Sequence, residues 1–148
     1  MRSLDIHSIG EAFQKQAKLS PHRTALFYLG TGYTYERIRR WTLSFAHSLA
    51  HAGIQPGDRV ILYLPNSPQW AVSWLGILTL GASAVPITPI YTPHDLKYIA
   101  EDSGAKAIVC TDVNYVYVEQ VLSETQIGTV IPVSYTHLRA HETTASIS

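Results

Sequence analysis

The residues best equipped for metal chemistry stand near the end of the chain, in His137-Leu-Arg-Ala-His141-Glu142. Two histidines four apart share one face of a helix, and with a carboxylate beside them they begin to resemble a zinc hydrolase helix. Such a site also needs a third ligand and groups that orient the first ones. Neither His-Glu-x-x-His nor His-x-x-Glu-His is present, because Glu142 follows the second histidine. No metal site is assigned. His47 and His51 repeat the spacing upstream; with no third ligand near them in sequence, they read as an exposed polar face.

The other reactive side chains have structural readings. Asp58 lies in a turn before an apolar run, where aspartate bonds its own backbone,. Glu101-Asp102 falls near the end of a helical pattern as a solvated pair, and Arg37, Arg39 and Arg40 open another helix, facing solvent or acids. Trp70 and Trp74, one helical turn apart, are packing residues. The single cysteine, Cys110, sits in the apolar run Ala107-Ile-Val-Cys110, so it reads as a buried thiol in a reducing compartment,. The chain has no Gly-x-Gly-x-x-Gly after a strand, no phosphate loop ending in Gly-Lys-Ser/Thr, and no Gly-x-Ser-x-Gly elbow,.

Composition narrows the function class. The 148 residues suffice for one domain or for a piece of a larger one,. Net charge is zero, which leaves no electrostatic case for nucleic acid,. Charged residues are 15% of the chain, against roughly 25% in ordinary soluble domains. Apolar residues reach 46%, so part of the apolar surface is expected to be covered by more protein. Met1-Arg-Ser-Leu-Asp5 carries an early acid and leads into no apolar core, so no signal peptide is expected,. No charged residue lies between Arg59 and Asp95, yet Ser67-Pro68, Gly81 and Pro86 interrupt that stretch. A buried helix leading into a buried strand is expected there rather than a transmembrane span. A cytoplasmic location follows, leaving room for peripheral membrane contact.

The elements that must position these groups alternate in type. Ser8-Ile-Gly-Glu11 is a capping box opening a helix whose apolar face is Ile9, Ala12, Phe13 and Ala17,. Thr24 to Leu29 reads as a strand, returned through Gly30-Thr-Gly32 into Tyr33-Thr34. Thr34 caps a long helix carrying Ile38, Thr42, Phe45 and Leu49,. Arg59-Val-Ile-Leu-Tyr-Leu64 is a continuous apolar strand of the kind covered on both faces,. Ser67-Pro68 opens a helix that is apolar nearly all round and therefore expected to be buried,. A strand over 82–87, a helix capped by Thr92, a strand at 107–110, a short helix over 115–122 and a last strand at 128–131 complete the pattern. Strand–helix repeats with such crossovers predict an α/β fold, layered, with a mainly parallel sheet and flanking helices.

Six short stretches, taken in order, carry a resemblance. They are Gly32-Tyr-Thr-Tyr-Glu36, Gly53-Ile-Gln-Pro-Gly-Asp-Arg-Val60, Leu64-Pro-Asn-Ser67, Leu75-Gly-Ile-Leu-Thr-Leu-Gly-Ala82, Val85-Pro-Ile-Thr-Pro-Ile-Tyr-Thr-Pro93 and Asp102-Ser-Gly-Ala-Lys-Ala-Ile-Val109. Their order and spacing resemble the N-terminal region of the adenylate-forming, AMP-binding ligases, within the acyl-CoA synthetase branch. The loop ending Tyr91-Thr-Pro93 is most similar to that of long-chain fatty-acid–CoA ligases. The sequence departs from the family where Leu78-Thr-Leu-Gly-Ala82 replaces the usual Lys-Ala-Gly and Thr88-Pro89 replaces Asn-Pro.

The resemblance implies a parent that uses ATP, Mg and coenzyme A. In that reaction a fatty-acid carboxylate attacks the α-phosphate to give an acyl adenylate, and a thiol then displaces AMP. The phosphate loop, the acid for the ribose and the lysine of the mobile C-terminal domain lie downstream of the matched region in this family. The resemblance therefore implies residues 1–131 as a partial N-terminal subdomain of the adenylate-forming enzyme fold. It implies no catalytic, cofactor-binding or metal residue in this chain, and no activity alone. The loop at Thr88, Pro89 and Tyr91 is the candidate for substrate contact in the intact enzyme; a structural turn held by prolines explains the same residues.

Composition changes near Pro132. Val133-Ser-Tyr-Thr-His-Leu-Arg-Ala-His-Glu-Thr143 is similar to a peptide that recurs at the ends of unrelated reading frames, where it is a translated sequencing adapter. Residues 132–148 are accordingly expected to be an unstructured, non-native tail. The competing functional reading is a free-standing α/β module that binds a nucleotide or acyl group without catalysis.

Overall fold

A computed structural model describes residues 8–134. His137, His141 and Glu142, and the rest of the expected tail from residue 135, lie outside the described residues.

The first third of the described chain forms two helices and a two-stranded ribbon. Helix α1, Ile9–Leu19, starts at Ser8, whose hydroxyl accepts from the Glu11 amide at 3.1 Å. Its inward face differs from the expectation: Ile9 is 55% exposed, while Gly10 and Ala17 are buried. Strands β1, Thr24–Tyr28, and β2, Thr31–Thr34, form a separate antiparallel ribbon. Thr34 then caps helix α2, Tyr35–His51, through the Arg37 amide.

The remainder is a parallel sheet. It contains β3 Arg59–Tyr63, β4 Ser83–Pro86, β5 Ala107–Thr111 and β6 Thr129–Val133, in the spatial order β4-β3-β5-β6. All three pairings are parallel. The connections are α3, Pro68–Leu80; α4, Pro93–Ser103; and α5, Tyr115–Val121, which runs into a 3-10 turn at Leu122–Glu124. The last strand reaches Val133, pairing Pro132 with Cys110 and Val133 with Thr111. The strand expected at 128–131 thus runs two residues further, because the parallel register continues to the end of β5.

The period-two alternation of strand side chains divides the core into two layers. Val60, Leu62, Ala107 and Val109 face Leu49 of α2 and Ile77 of α3. Ile61, Tyr63, Ile108 and Cys110 face Leu96 and Ala100 of α4 and Val118 and Val121 of α5. This explains why β3 and β5 read as unbroken apolar runs: both of their faces are covered.

Helix α3 is less buried than its composition suggests. Ser73, Leu75, Gly76 and Ile77 are buried, whereas Trp70, Val72, Trp74, Leu78 and Leu80 keep partial exposure. Helices α1 and α2 pack on this helix and cover only part of its circumference. The Trp70 and Trp74 rings stack on each other, 5.7 Å apart and 21° from parallel. Close approach to α2 depends on Gly76, where a Cβ would lie 2.7 Å from the Phe45 ring and 3.3 Å from the Thr42 carbonyl oxygen.

Candidate functional site at the carboxyl edge of the sheet

The chain leaves β3, crosses through α3 to β4 on one side, then passes through α4 to β5 on the other. The strand order thus reverses between β3 and β5. In open α/β sheets a crevice forms outside the carboxyl ends of the strands at such a switch point, and ligands bind there. Here a crevice of about 150 Å³ occupies that place, lined by Pro65, Pro89, Thr111, Val113 and Asn114.

Each wall has a local cause. The apolar run of β3 ends at Pro65, which has no amide hydrogen with which to extend the ladder,. The loop after β4 turns with the Tyr91 amide donating to the Thr88 carbonyl at 3.2 Å. Two side chains from neighbouring elements fix this turn. The buried Tyr63 hydroxyl donates to the Tyr91 carbonyl at 2.5 Å, and Asn114 Nδ2 donates to the Pro89 carbonyl at 3.2 Å. The Asn114 amide in turn donates to Thr111 Oγ1 at 3.0 Å. Burial raises the Tyr63 phenol above its usual range, keeping it a neutral donor,.

The loop then enters α4 through a complete capping box. The Thr92 amide donates to Asp95 Oδ2 at 2.9 Å, and Thr92 Oγ1 accepts from the Asp95 amide at 3.4 Å. The Thr92 backbone and hydroxyl donors hold the Asp95 carboxyl below its usual range.

Thr88, Pro89 and Tyr91 are brought into one turn, but only Pro89 lines the crevice. The carbonyls of Pro89 and Tyr91 are engaged by Asn114 and Tyr63, while Ile90 is 84% exposed at the tip. Sequence reading missed Tyr63, Thr111, Val113 and Asn114. Tyr63 and Thr111 sit at strand ends inside or beside apolar runs, so their role follows from which strands become neighbours. Val113-Asn114, between a strand and a helix, was a loop signal without an evident partner.

His47 and His51 are exposed on α2, and no group of three potential metal ligands occurs among the described residues. Glu101 and Asp102 are exposed. Arg37 lies over the Trp41 ring, 4.8 Å from its centroid, and near the Tyr33 ring at 5.6 Å, rather than beside an acid,. Asp58 makes the expected turn bond, accepting from the Gln55 amide at 2.8 Å, and also pairs with Lys106 Nζ at 2.8 Å. Cys110 is fully buried, and burial pushes its thiol up to about 12, which leaves it protonated and inert,. Among the described residues, no helix is long and apolar enough to cross a membrane.

Comparisons with known proteins bear on this arrangement. The AMP-binding enzyme family model matches residues 13–146. A long-chain-fatty-acid–CoA ligase of Haemophilus influenzae is 35% identical over 125 residues, covering 84% of this chain and 22% of that protein. Its counterpart in Bacillus subtilis is 37% identical over 92 residues, covering 62% of this chain and 16% of that one. A fatty acyl CoA synthetase of Mycobacterium tuberculosis superposes with a TM-score of 0.79 at 25% identity, over 90% of this chain and 27% of its own. The anthranilate CoA ligase AuaEII, solved with anthranoyl-AMP, superposes with a TM-score of 0.82 at 21% identity, over the same shares. The chain spans about a fifth of the length of the first of these relatives, 22%. The family model matches most of the chain, and the chain belongs to the AMP-binding enzyme family.

Proposed function

We propose that this chain is the opening scaffold of an ATP-dependent carboxylate–CoA ligase acting on fatty acids, and that it has no catalytic activity by itself. The observation that carries this reading is the asymmetry of coverage: 84% of this chain matches 22% of a long-chain-fatty-acid–CoA ligase. The parent forms an acyl adenylate from the acid and ATP-Mg, then transfers the acyl group to coenzyme A, in the cytoplasm. Within it, the turn at Thr88, Pro89 and Tyr91 borders the path of the acyl substrate. The hydrogen bonds that immobilise this turn support a wall rather than a reacting group.

ATP–pyrophosphate exchange tests the proposal. The 148-residue chain with ATP, Mg and palmitate should give no exchange above a buffer blank, whereas robust turnover would overturn the inactivity. The alternative of a free-standing binding module draws support from the two core layers on the faces of the sheet. Melting that shifts with ATP or a fatty acid, and not in a scrambled-sequence control, would favour it.

The reading of residues 132–148 as a non-native tail is part of the same proposal. The family match itself runs on to residue 146, so the boundary is best tested on the gene. An adapter sequence beginning near codon 132 supports the proposal, and a continuous ligase reading frame overturns it.

A further inference from the structure

We propose that the crevice between the carboxyl ends of β3 and β5 binds a short uncharged apolar group, the alkyl or aryl end of a larger substrate. The inference rests on reading this edge as part of the substrate path, but its physical content is testable without that reading.

Size sets the first limit. The crevice is about 150 Å³, and a cavity of about that volume holds a benzene-sized guest. A whole nucleotide does not fit in it.

Charge sets the second limit. Pro65, Pro89, Thr111, Val113 and Asn114 include no cation, so a carboxylate or phosphate placed there would be desolvated without a partner. Each of the two polar lining side chains makes a bond within the frame: Thr111 Oγ1 accepts from the Asn114 amide and Asn114 Nδ2 donates to the Pro89 carbonyl. Thr111 and Asn114 are 4% and 9% exposed. Their hydrogen bonds hold the frame and leave a largely apolar interior for the guest.

The rim points the same way. Ile90, Val113, Val116 and Tyr117 are 84%, 65%, 51% and 40% exposed, and all belong to the two segments that flank the crevice. Large apolar side chains left in water around a concave site are a common mark of a binding surface. The turn is fixed from below by Tyr63 and from the side by Asn114, so the crevice is formed before any guest arrives and little ordering cost is incurred.

Amide NMR shifts of the 148-residue chain, titrated with 1-hexanol and separately with hexanoate, test the inference. For 1-hexanol, amides in 88–91 and 111–114 should shift saturably with a Kd on the order of 1 mM, the scale open to a guest of so few atoms. Hexanoate should bind at least about tenfold more weakly. Val113→Trp, at an exposed lining position, should weaken 1-hexanol binding by at least about tenfold while amides elsewhere keep their positions. Val113→Phe provides a second filling variant, and Leu19→Trp, at an exposed position on α1 away from the crevice and its rim, should bind as the parent chain does. Absence of saturable shifts at these amides would overturn the proposal. So would equal binding of hexanoate, or undiminished binding to both filled variants. These outcomes are independent of pyrophosphate exchange, so loss of the site and loss of the ligase reading can be told apart.

Discussion

The two ends of the parallel sheet are built differently. At the amino end, neighbouring elements are sewn together by the backbone: the Gly57 amide donates to the Gly81 carbonyl, Ser83 to Asp58, Lys106 to Arg59 and Gly128 to Lys106. Asp58 adds a side-chain tie between the turn before β3 and the start of β5. At the carboxyl end two side chains, Tyr63 and Asn114, hold the loop after β4, and apolar residues remain exposed around the crevice. Backbone ties also reach the carboxyl end, where the Ile87 amide donates to the Leu62 carbonyl and Asp112 to Val133, but the loop after β4 is held there by side chains around a shaped opening. The contrast suits a sheet whose amino end provides rigidity and whose carboxyl end meets a ligand.

Substitutions can break this contrast in order of size. The largest loss is expected at Tyr63, whose ring is fully buried beneath the carboxyl-end loop. Tyr63→Ala should cost about 3–5 kcal/mol, the range for removing a large buried aromatic, measured by urea denaturation. Tyr63→Phe keeps the ring and removes one donor, so it should cost only about 1–2 kcal/mol. Its hydrogen exchange should speed up over residues 88–92 and not at the amino end. Uniform acceleration across the sheet would erase the distinction between the two ends.

An intermediate loss is expected at the amino end from Gly81→Ala. Gly81 has φ +87°, and a Cβ there would come 3.2 Å from Pro56 Cβ. The left-handed backbone alone should cost about 1–2 kcal/mol, and exchange of the Gly57 amide should rise with it.

The smallest effect concerns pH. The Lys106 ammonium, then the Gln55 amide, hold the Asp58 carboxyl below its ordinary value of 3.8. A carboxyl depressed in the folded chain stabilises it above the unfolded value, and that contribution is lost as pH falls through the folded one. Asp58→Asn should therefore be less stable than the parent chain at pH 7, and the difference should shrink below about pH 4. A gap that persists at low pH would show that Asp58 acts by shape rather than charge.

Much of the architecture was legible because it rests on local patterns. Strands β3 and β5 advertised burial on both faces through unbroken apolar runs. Thr34, Ser67 and Thr92 marked helix starts, and the structure uses each hydroxyl as a cap. The ordered stretches from Gly32 to Val109 carried the family. The inward faces of the helices were less legible. Ile9 turned outward and Gly10 inward, because helix packing selects for close approach as well as for apolarity. For α3, hydrophobic composition on all sides predicted burial on all sides, yet two helices and a sheet cover only part of it.

The sequence alone determined that strands and helices alternate, that the central strands are covered on both faces, and which family the order of motifs resembles. These follow from side-chain period, caps and turn residues, which act over a few positions. Only the tertiary structure decided that β3 and β5 are neighbours at a reversal of strand order. That adjacency brings Tyr63 to Tyr91, 28 positions away, and Asn114 to Pro89, 25 positions away. Spacing cannot reveal such pairs, because strand order arises from how helices cover the two faces of the sheet. The crevice exists where those two choices meet.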